Sequence, residues 1–265
     1  MLGAELRYHR ERKGMSQGEL GQPLFVSGAF VGMLEMGVRR MQPEYAVKLD
    51  EIFGTGEFFV RNCEVLKNSK YPEHFAEAVE AEATAKMIKE YSPLLIPGLL
   101  QTESYARAIF RAGLPLATED RIDELVLARL ARGKLLKDPT EPVVWVVLDE
   151  AVLRRAAGGP EAMAEVLRHI AALVRRHRIF MQVLPFAAGA HAALEGAIKL
   201  MTFSDAPPLA YLEGMNSGQL VDDPNSVDRF ALAYDLLGAN ALSPEKSLAL
   251  LESVAEDYAH EEQQE

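Results

Sequence analysis

Apolar residues recur at helical spacing from the first residue onward. Leu2, Leu6 and His9 with Arg10 mark a first helix that Gly14 ends, just after Arg12 and Lys13. Ser16 opens a second helix and Glu19 stands three residues on, the S-x-x-E capping box, with Leu20 and Leu24 as its apolar stripe. Ser27 is placed to cap a third, whose Val31 and Leu34 point inward and which ends near Gly37. A fourth follows Pro43 and carries Tyr45, Val47, Leu49, Ile52 and Phe53 to a core. Four short helices in about fifty residues, with a tight turn between the second and third, predict a helix-turn-helix domain over residues 1–56.

Beyond Gly54-Thr55-Gly56, residues 57–71 are too apolar for a free linker (Phe58, Phe59, Val60, Val65, Leu66) and predict a connecting helix. From 72 to 265 helical and strand-like patterns alternate. An acidic amphipathic helix is expected at 72–85, and helices from Thr102 to Arg111, Thr118 to about Leu136, 160–177, 224–240 and 244–260. Strand-like runs are MIKEY near residue 90, VVWVVL at 143–148, IFMQVL at 179–184, IKLMTF at 198–203, LAYLE at 209–213 and QLV at 219–221. The expected architecture is therefore α+β or α/β: an all-α head, then a larger α/β domain with a mixed sheet of about five strands.

The spacing of Leu6-Arg7, Arg10, Ser16-Gln17-x-Glu19-Leu20, Val26-Ser27, Val31, Leu34-Glu35, Gly37 and Arg39-Arg40 resembles the XRE-type helix-turn-helix family. The resemblance implies double-stranded DNA as partner, the helix after Ser27 as recognition helix, and phosphate contacts from Gln17 and the Arg39-Arg40 pair. The candidate DNA-contacting residues are Gln17, Ser27, Gly28, Ala29, Gly32, Met33, Arg39 and Arg40. With Val31 and Leu34 inward, 100° per residue puts Ala29, Gly32, Met33 and Met36 outward. None has a side chain able to hydrogen-bond a base edge, which leaves thymine-methyl contacts, backbone contacts and DNA shape. Pro23 lies late in the second helix, and Phe25 holds a turn position that usually takes Gly.

A second resemblance runs from about residue 72 to the end. It rests on Pro97-Gly98-Leu99-Leu100-Gln101-Thr102 with Tyr105-Ala106, Arg129-Leu130-x-Arg132, Leu148-Asp149-Glu150-Ala151 and Gln182-Val183-Leu184-Pro185-Phe186. Gly189-Ala190-His191, Tyr211-x-Glu213 and Ala241-Leu242-Ser243-Pro244 extend it. These segments are similar to the body of the actinobacterial, antitoxin-like WhiJ-type regulators. That likeness implies a transcription regulator acting as a homodimer, and a small acidic protein encoded nearby as toxin-like partner.

Charge separates the two parts. Residues 1–53 hold seven basic and seven acidic side chains, so the remaining 21 basic and 32 acidic residues carry the whole net charge of −11. An acidic body repels phosphate, which leaves the head as the DNA contact. Cys63 is the single cysteine, which excludes an internal disulfide or a cysteine zinc finger. With no membrane span and no secretion signal in the pattern, the expected location is the cytoplasm.

Candidate ligand or partner contacts in the body are Gln101, Asp149, His191 and Glu213, and each has a structural alternative. Gln101 lies in a PGLLQT stretch that reads either as a ligand loop or as a turn with Thr102 capping the next helix. Asp149-Glu150 follow a buried strand, as functional groups in α/β sheets do, or simply cap the helix that starts there. His191, in the loop PFAAGAHAALEG, either joins Glu195 and Glu213 in a polar pocket or makes a structural hydrogen bond. A strand, a Pro and a loop His resemble half of a phospholipase D-like site, but Ala193 stands where that chemistry needs Lys. With no phosphate-cradling loop, no H-E-x-x-H and no G-x-S-x-G, neither an enzyme nor a cofactor or metal site is expected. The leading reading is an antitoxin-like transcription regulator. The alternatives are a ligand-sensing factor with a pocket around His191, Glu213 and Asp149, and a protein-binding adaptor that no longer reads DNA.

Overall fold

The computed structural model describes residues 2–37, 39, 41–67, 73–215 and 217–262, in two compact units, residues 1–69 and 70–265.

The first unit contains helices α1 (Leu2–Arg12), α2 (Gln17–Leu24), α3 (Gly28–Glu35), α4 (Pro43–Phe53) and α5 (Phe58–Lys67). Local chemistry explains their ends. Ser16 Oγ accepts from Glu19 N while the Glu19 carboxylate accepts from Ser16 N, so the capping box is complete. Ser27 Oγ accepts from Phe30 N at 3.2 Å and starts α3. Phe25, between them, is in the left-handed region at φ 57°, which suits glycine better. Close approach of α2 and α3 depends on two glycines. A β-carbon on Gly21 would lie 2.5 Å from the Val26 carbonyl oxygen, and one on Gly28 2.9 Å from Gly18 N.

The apolar 58–67 run is a helix that packs into this unit, with Phe59 and Cys63 buried beside Leu6, Leu20, Val31, Leu34 and Leu49. Asp50, on α4, secures it: its carboxylate accepts from Phe59 N at 3.0 Å and Val60 N at 2.9 Å, satisfying donors that a helix start leaves unpaired.

The second unit runs α6 (Glu73–Thr84), β1 (Met87–Ser92), α7 (Glu103–Gly113), α8 (Glu119–Arg132), β2 (Val143–Asp149), α9 (Glu150–Arg154), α10 (Gly159–Arg175) and β3 (Ile179–Leu184). It continues with β4 (Ala197–Thr202), β5 (Leu209–Gly214), β6 (Ser217–Val221), α11 (Pro224–Asn240) and α12 (Pro244–Glu262). Among the described residues the sheet has six strands in the order β3-β2-β1-β4-β5-β6, one from each strand-like run of the sequence, where a sheet of about five was expected. The sixth is the short, half-exposed edge strand around QLV. Strands β1 to β3 are parallel, joined by helical crossovers, and β4 to β6 form an antiparallel meander.

Alternation divides the sheet residues between two cores. Ile88, Val144, Val146, Leu148, Met181, Val183, Met201 and Tyr211 face a core shared with α6, α7, α10 and α12. Tyr91, Val147, Leu184, Ile198, Leu200 and Ala210 face α11, through Val227, Tyr234 and Leu237. The outer edge of β3 is covered, since Leu242 N donates to Val183 O and Val183 N donates to Ser247 Oγ.

Candidate nucleic-acid interface and polar sites of the body

In the first unit, Arg10 of α1 meets Glu35 at the end of α3, Nε to Oε1 at 2.5 Å and Nη2 to Oε2 at 3.1 Å. Arg10 also donates to the Met15 carbonyl. Gln17 Nε2 donates to the same Glu35 carboxylate at 2.9 Å. Burial works against the Glu35 charge, and the bonds from Arg10 and Gln17 outweigh it, holding the carboxyl below its ordinary range. One carboxylate thereby ties α1, the start of α2 and the end of α3 together.

This lock revises part of the expected DNA face. The Gln17 amide turns inward and lies against Gly32, which is buried and so is not part of the outward face. Gly28 is taken up by close packing on α2. Ser27, Ala29 and Arg39 are exposed, Met33 is half-buried, and Met36 is 72% exposed. Arg40 lies outside the described residues. The open side of α3 thus consists of Ala29, Met33 and Met36, with exposed Phe25 on the turn before it.

In the second unit, Gln101 does not offer its amide to a ligand. It is buried, with Nε2 donating to the Ile96 carbonyl at 2.7 Å and Oε1 accepting from Arg129 Nη1 at 3.0 Å. Tyr105 completes the loop by accepting from Ile96 N. Thr102 stands at the N-cap of α7 but makes no side-chain cap bond, contrary to its expected role. Gly98 lets two guanidinium groups close in, because a β-carbon there would lie 3.1 Å from Nη1 of both Arg129 and Arg132. The PGLLQT and R-L-x-R segments are one interlocked assembly.

Asp149 caps α9, accepting from Ala151 N at 2.9 Å. Its other oxygen accepts from Tyr91 Oη at 3.3 Å, and Tyr91 Oη lies 3.4 Å from His191 Nε2. His191 Nδ1 accepts from Ala193 N, which places the ring proton on Nε2, donating to Tyr91. Burial, then the adjacent Asp149 charge, push the Tyr91 phenol above its ordinary value. Asp149 and His191 therefore meet through a tyrosine at the C-terminal ends of the parallel strands. Glu213 does not join them. It is exposed on β5 and shares the face of Tyr211, opposite to the face that carries Tyr91, so a pocket of His191, Asp149 and Glu213 does not form.

The strongest electrostatic feature is one the sequence reading missed. Glu82 on α6 is 1% exposed and accepts from Arg132 Nε and Nη2 at 2.9 and 3.0 Å and from Lys199 Nζ at 2.8 Å. Lys199 also reaches Glu90 at 3.0 Å. Arg132 lies over the Phe75 ring, 4.5 Å from its centroid. Burial alone would raise the Glu82 carboxyl, yet Lys199 and Arg132 bring it down to about 2. Glu90, which meets Lys199, is raised by burial. A signal was present: Phe75, Ala78 or Val79, and Glu82 fall on one helical stripe, so the stripe that buries Phe75 also buries Glu82. Among the described residues no group of three or more His, Cys, Asp or Glu is placed to hold a metal ion.

Compared with known proteins, residues 75–253 match the family model described as "Domain of unknown function (DUF5753)". The chain belongs to that family. No curated protein and no solved structure matches it.

Proposed function

We propose that this member of the DUF5753 family is a transcription regulator with an XRE-type DNA-binding head and an antitoxin-like, WhiJ-type body. The observation that carries the reading is the α2–α3 pair. Both helices are capped, glycines close them together, and the Arg10–Glu35–Gln17 lock fixes the axis of α3 while the side carrying Ala29, Met33 and Met36 stays open. A helix held rigidly with one exposed side is what major-groove insertion requires. The neutral charge balance of residues 1–53 beside an acidic remainder supports the same assignment.

The exposed side of α3 offers methyl and thioether groups, so operator preference comes from thymine methyls, DNA shape and the spacing of two heads in a homodimer. The body supplies that dimer, binds a small acidic partner, or does both, and the protein works in the cytoplasm without catalysis. Among the described residues no helix is long and apolar enough to cross a membrane.

Fluorescence anisotropy with double-stranded DNA from the chain's own upstream region tests the reading, with and without the product of the neighbouring gene. Affinity falling steeply between about 50 and 200 mM salt is expected. Replacing Arg39 and Arg40 together with Ala should reduce the slope of log affinity against log salt by about 2, roughly 0.9 for each phosphate no longer neutralised. No binding under either condition overturns the proposal. A second reading, an adaptor that binds protein through this face, is favoured by the exposure of Phe25 (86%) and Met36 on the turn and helix meant for DNA.

A further inference from the structure

On the α11 side of the sheet, three residues stand in register across the parallel strands: Lys89 of β1, Trp145 of β2 and Phe180 of β3. Neighbouring strands are about 4.8 Å apart, so the row makes a platform roughly 10 Å long. Trp145 and Phe180 pack at 5.7 Å between centroids, yet remain 36% and 51% exposed. Tyr234, Asp235 and Gly238 of α11 wall this platform, with Gln182 at its floor, enclosing a recess of about 340 Å³. That volume suits a small molecule.

The aromatic wall is held rigidly. Trp145 Nε1 donates to Gln182 Oε1 at 3.2 Å, and Gln182 Nε2 donates to the Leu242 carbonyl at 3.0 Å. Tyr234 Oη donates to the Trp145 carbonyl at 2.9 Å. Facing the indole is an ion pair, Lys89 Nζ to Asp235 Oδ1 at 3.1 Å, both partners partly open to solvent. Gly238 keeps the space clear. It is interior to α11, where glycine costs about 1 kcal/mol relative to alanine. A β-carbon there would meet only Gln182 Oε1 at an ordinary 3.8 Å, so packing does not require the glycine.

We propose that this recess is a binding site for a planar, uncharged heteroaromatic molecule bearing an N–H beside a C=O, a lactam or ring carboxamide. The exposed indole stacks on the ring. The Lys89–Asp235 pair offers a donor and an acceptor side by side, which matches a neutral donor–acceptor edge. The pair is net neutral, so a charged ligand gains from one partner what it loses to the other, whereas a neutral donor–acceptor edge gains from both. This site does not depend on whether the head reads DNA.

Trp145 is the only tryptophan, so one indole Nε1–H resonance in a ¹H–¹⁵N spectrum of the full chain reports on the recess. Titration with isoquinolin-1(2H)-one should shift that resonance saturably, and isoquinoline, the same bicycle without the edge, should bind at least ten-fold more weakly. Gly238→Leu should abolish the shift. Gly238→Ala, which keeps the fold and favours the helix, should weaken binding while raising Tm. Asp235→Leu should bring the lactam down to the affinity of isoquinoline. No saturable shift with the lactam, equal binding of the two compounds, or full binding by Gly238→Leu would each overturn the proposal.

Discussion

Glu82 and Arg132 form a bidentate ion pair, 2.9 and 3.0 Å, with both side chains withdrawn from water between α6 and the sheet. Removing one member of such a pair strands the other charge in a region of low polarity. Glu82→Gln should cost about 3–5 kcal/mol in chemical denaturation, the range for breaking a buried pair. Replacing Glu82, Arg132 and Lys199 together with apolar residues of similar size should cost less than the single change. A Glu82→Gln cost within about 1 kcal/mol of zero, as for exposed pairs, would show the charges to be solvated.

The neighbouring carboxylate has the opposite linkage to pH. Glu90 is raised by burial, so the folded state binds its proton more tightly than the unfolded chain does. Its contribution is greatest below the usual carboxylate range near 4.5 and is lost as pH rises through the folded value. Glu82, lowered to about 2, contributes above 4.5 and is lost as pH falls towards 2. Glu90→Gln should therefore flatten the decline in stability above pH 4.5 and leave the acid limb intact. Urea unfolding between about pH 3 and 8 measures both limbs, and an unchanged upper limb would refute the assignment.

Asp50 is the cap of a helix that starts eight residues later. Asp50→Ala removes the acceptor for Phe59 N and Val60 N, and should cost about 1–3 kcal/mol, the penalty for orphaned buried donors. Hydrogen exchange in the full chain should quicken across residues 58–67 and hardly change in the second unit. Uniform acceleration in both units would contradict a local role.

Arg178 gathers four carbonyls, from Leu135, Leu136, Glu141 and Pro142, at 3.0 to 3.1 Å. An ammonium cannot span this planar arrangement. Arg178→Lys should lower stability by about 2 kcal/mol and expose residues 133–142 to protease, as limited digestion would show. Resistance equal to the wild type would overturn it.

The hydroxyl of Tyr91 joins His191 to Asp149, while its ring fills the core beside Val147 and Ile198. Tyr91→Phe keeps the ring, so global stability should fall by only about 1 kcal/mol, the net worth of such hydrogen bonds. Exchange of the 185–196 loop should rise more than that of β1, and equal changes in both would deny the hydroxyl this role.

Local rules sufficed at most places where cause and effect lie within one turn of chain, Thr102, which makes no cap bond, being an exception. Ser16 with Glu19, Ser27 with Phe30, Asp149 with Ala151, and the strand runs at 87–92, 143–149 and 179–184 all follow from neighbours a few residues apart. The order of helices and strands, and hence the fold class, came from the same short-range periodicity. Partners distant in the chain have no such signature. Glu82 lies 50 residues from Arg132 and 117 from Lys199, so in one dimension it is one more acid on an acidic helix. The family resemblance implies a phosphate contact for Gln17, and only the fold brings Glu35, 18 residues on, to accept its amide. Asp149, His191 and Glu213 are equivalent in sequence, and sheet register divided them, because a side chain's face depends on the strand beside it. Trp145 reads as one residue of a buried strand, and its exposed wall exists because Lys89, Phe180 and α11 converge there. Spacing along the chain sets backbone conformation, whereas the balance of desolvation against pairing is settled by which side chains the packed sheet and helices bring together.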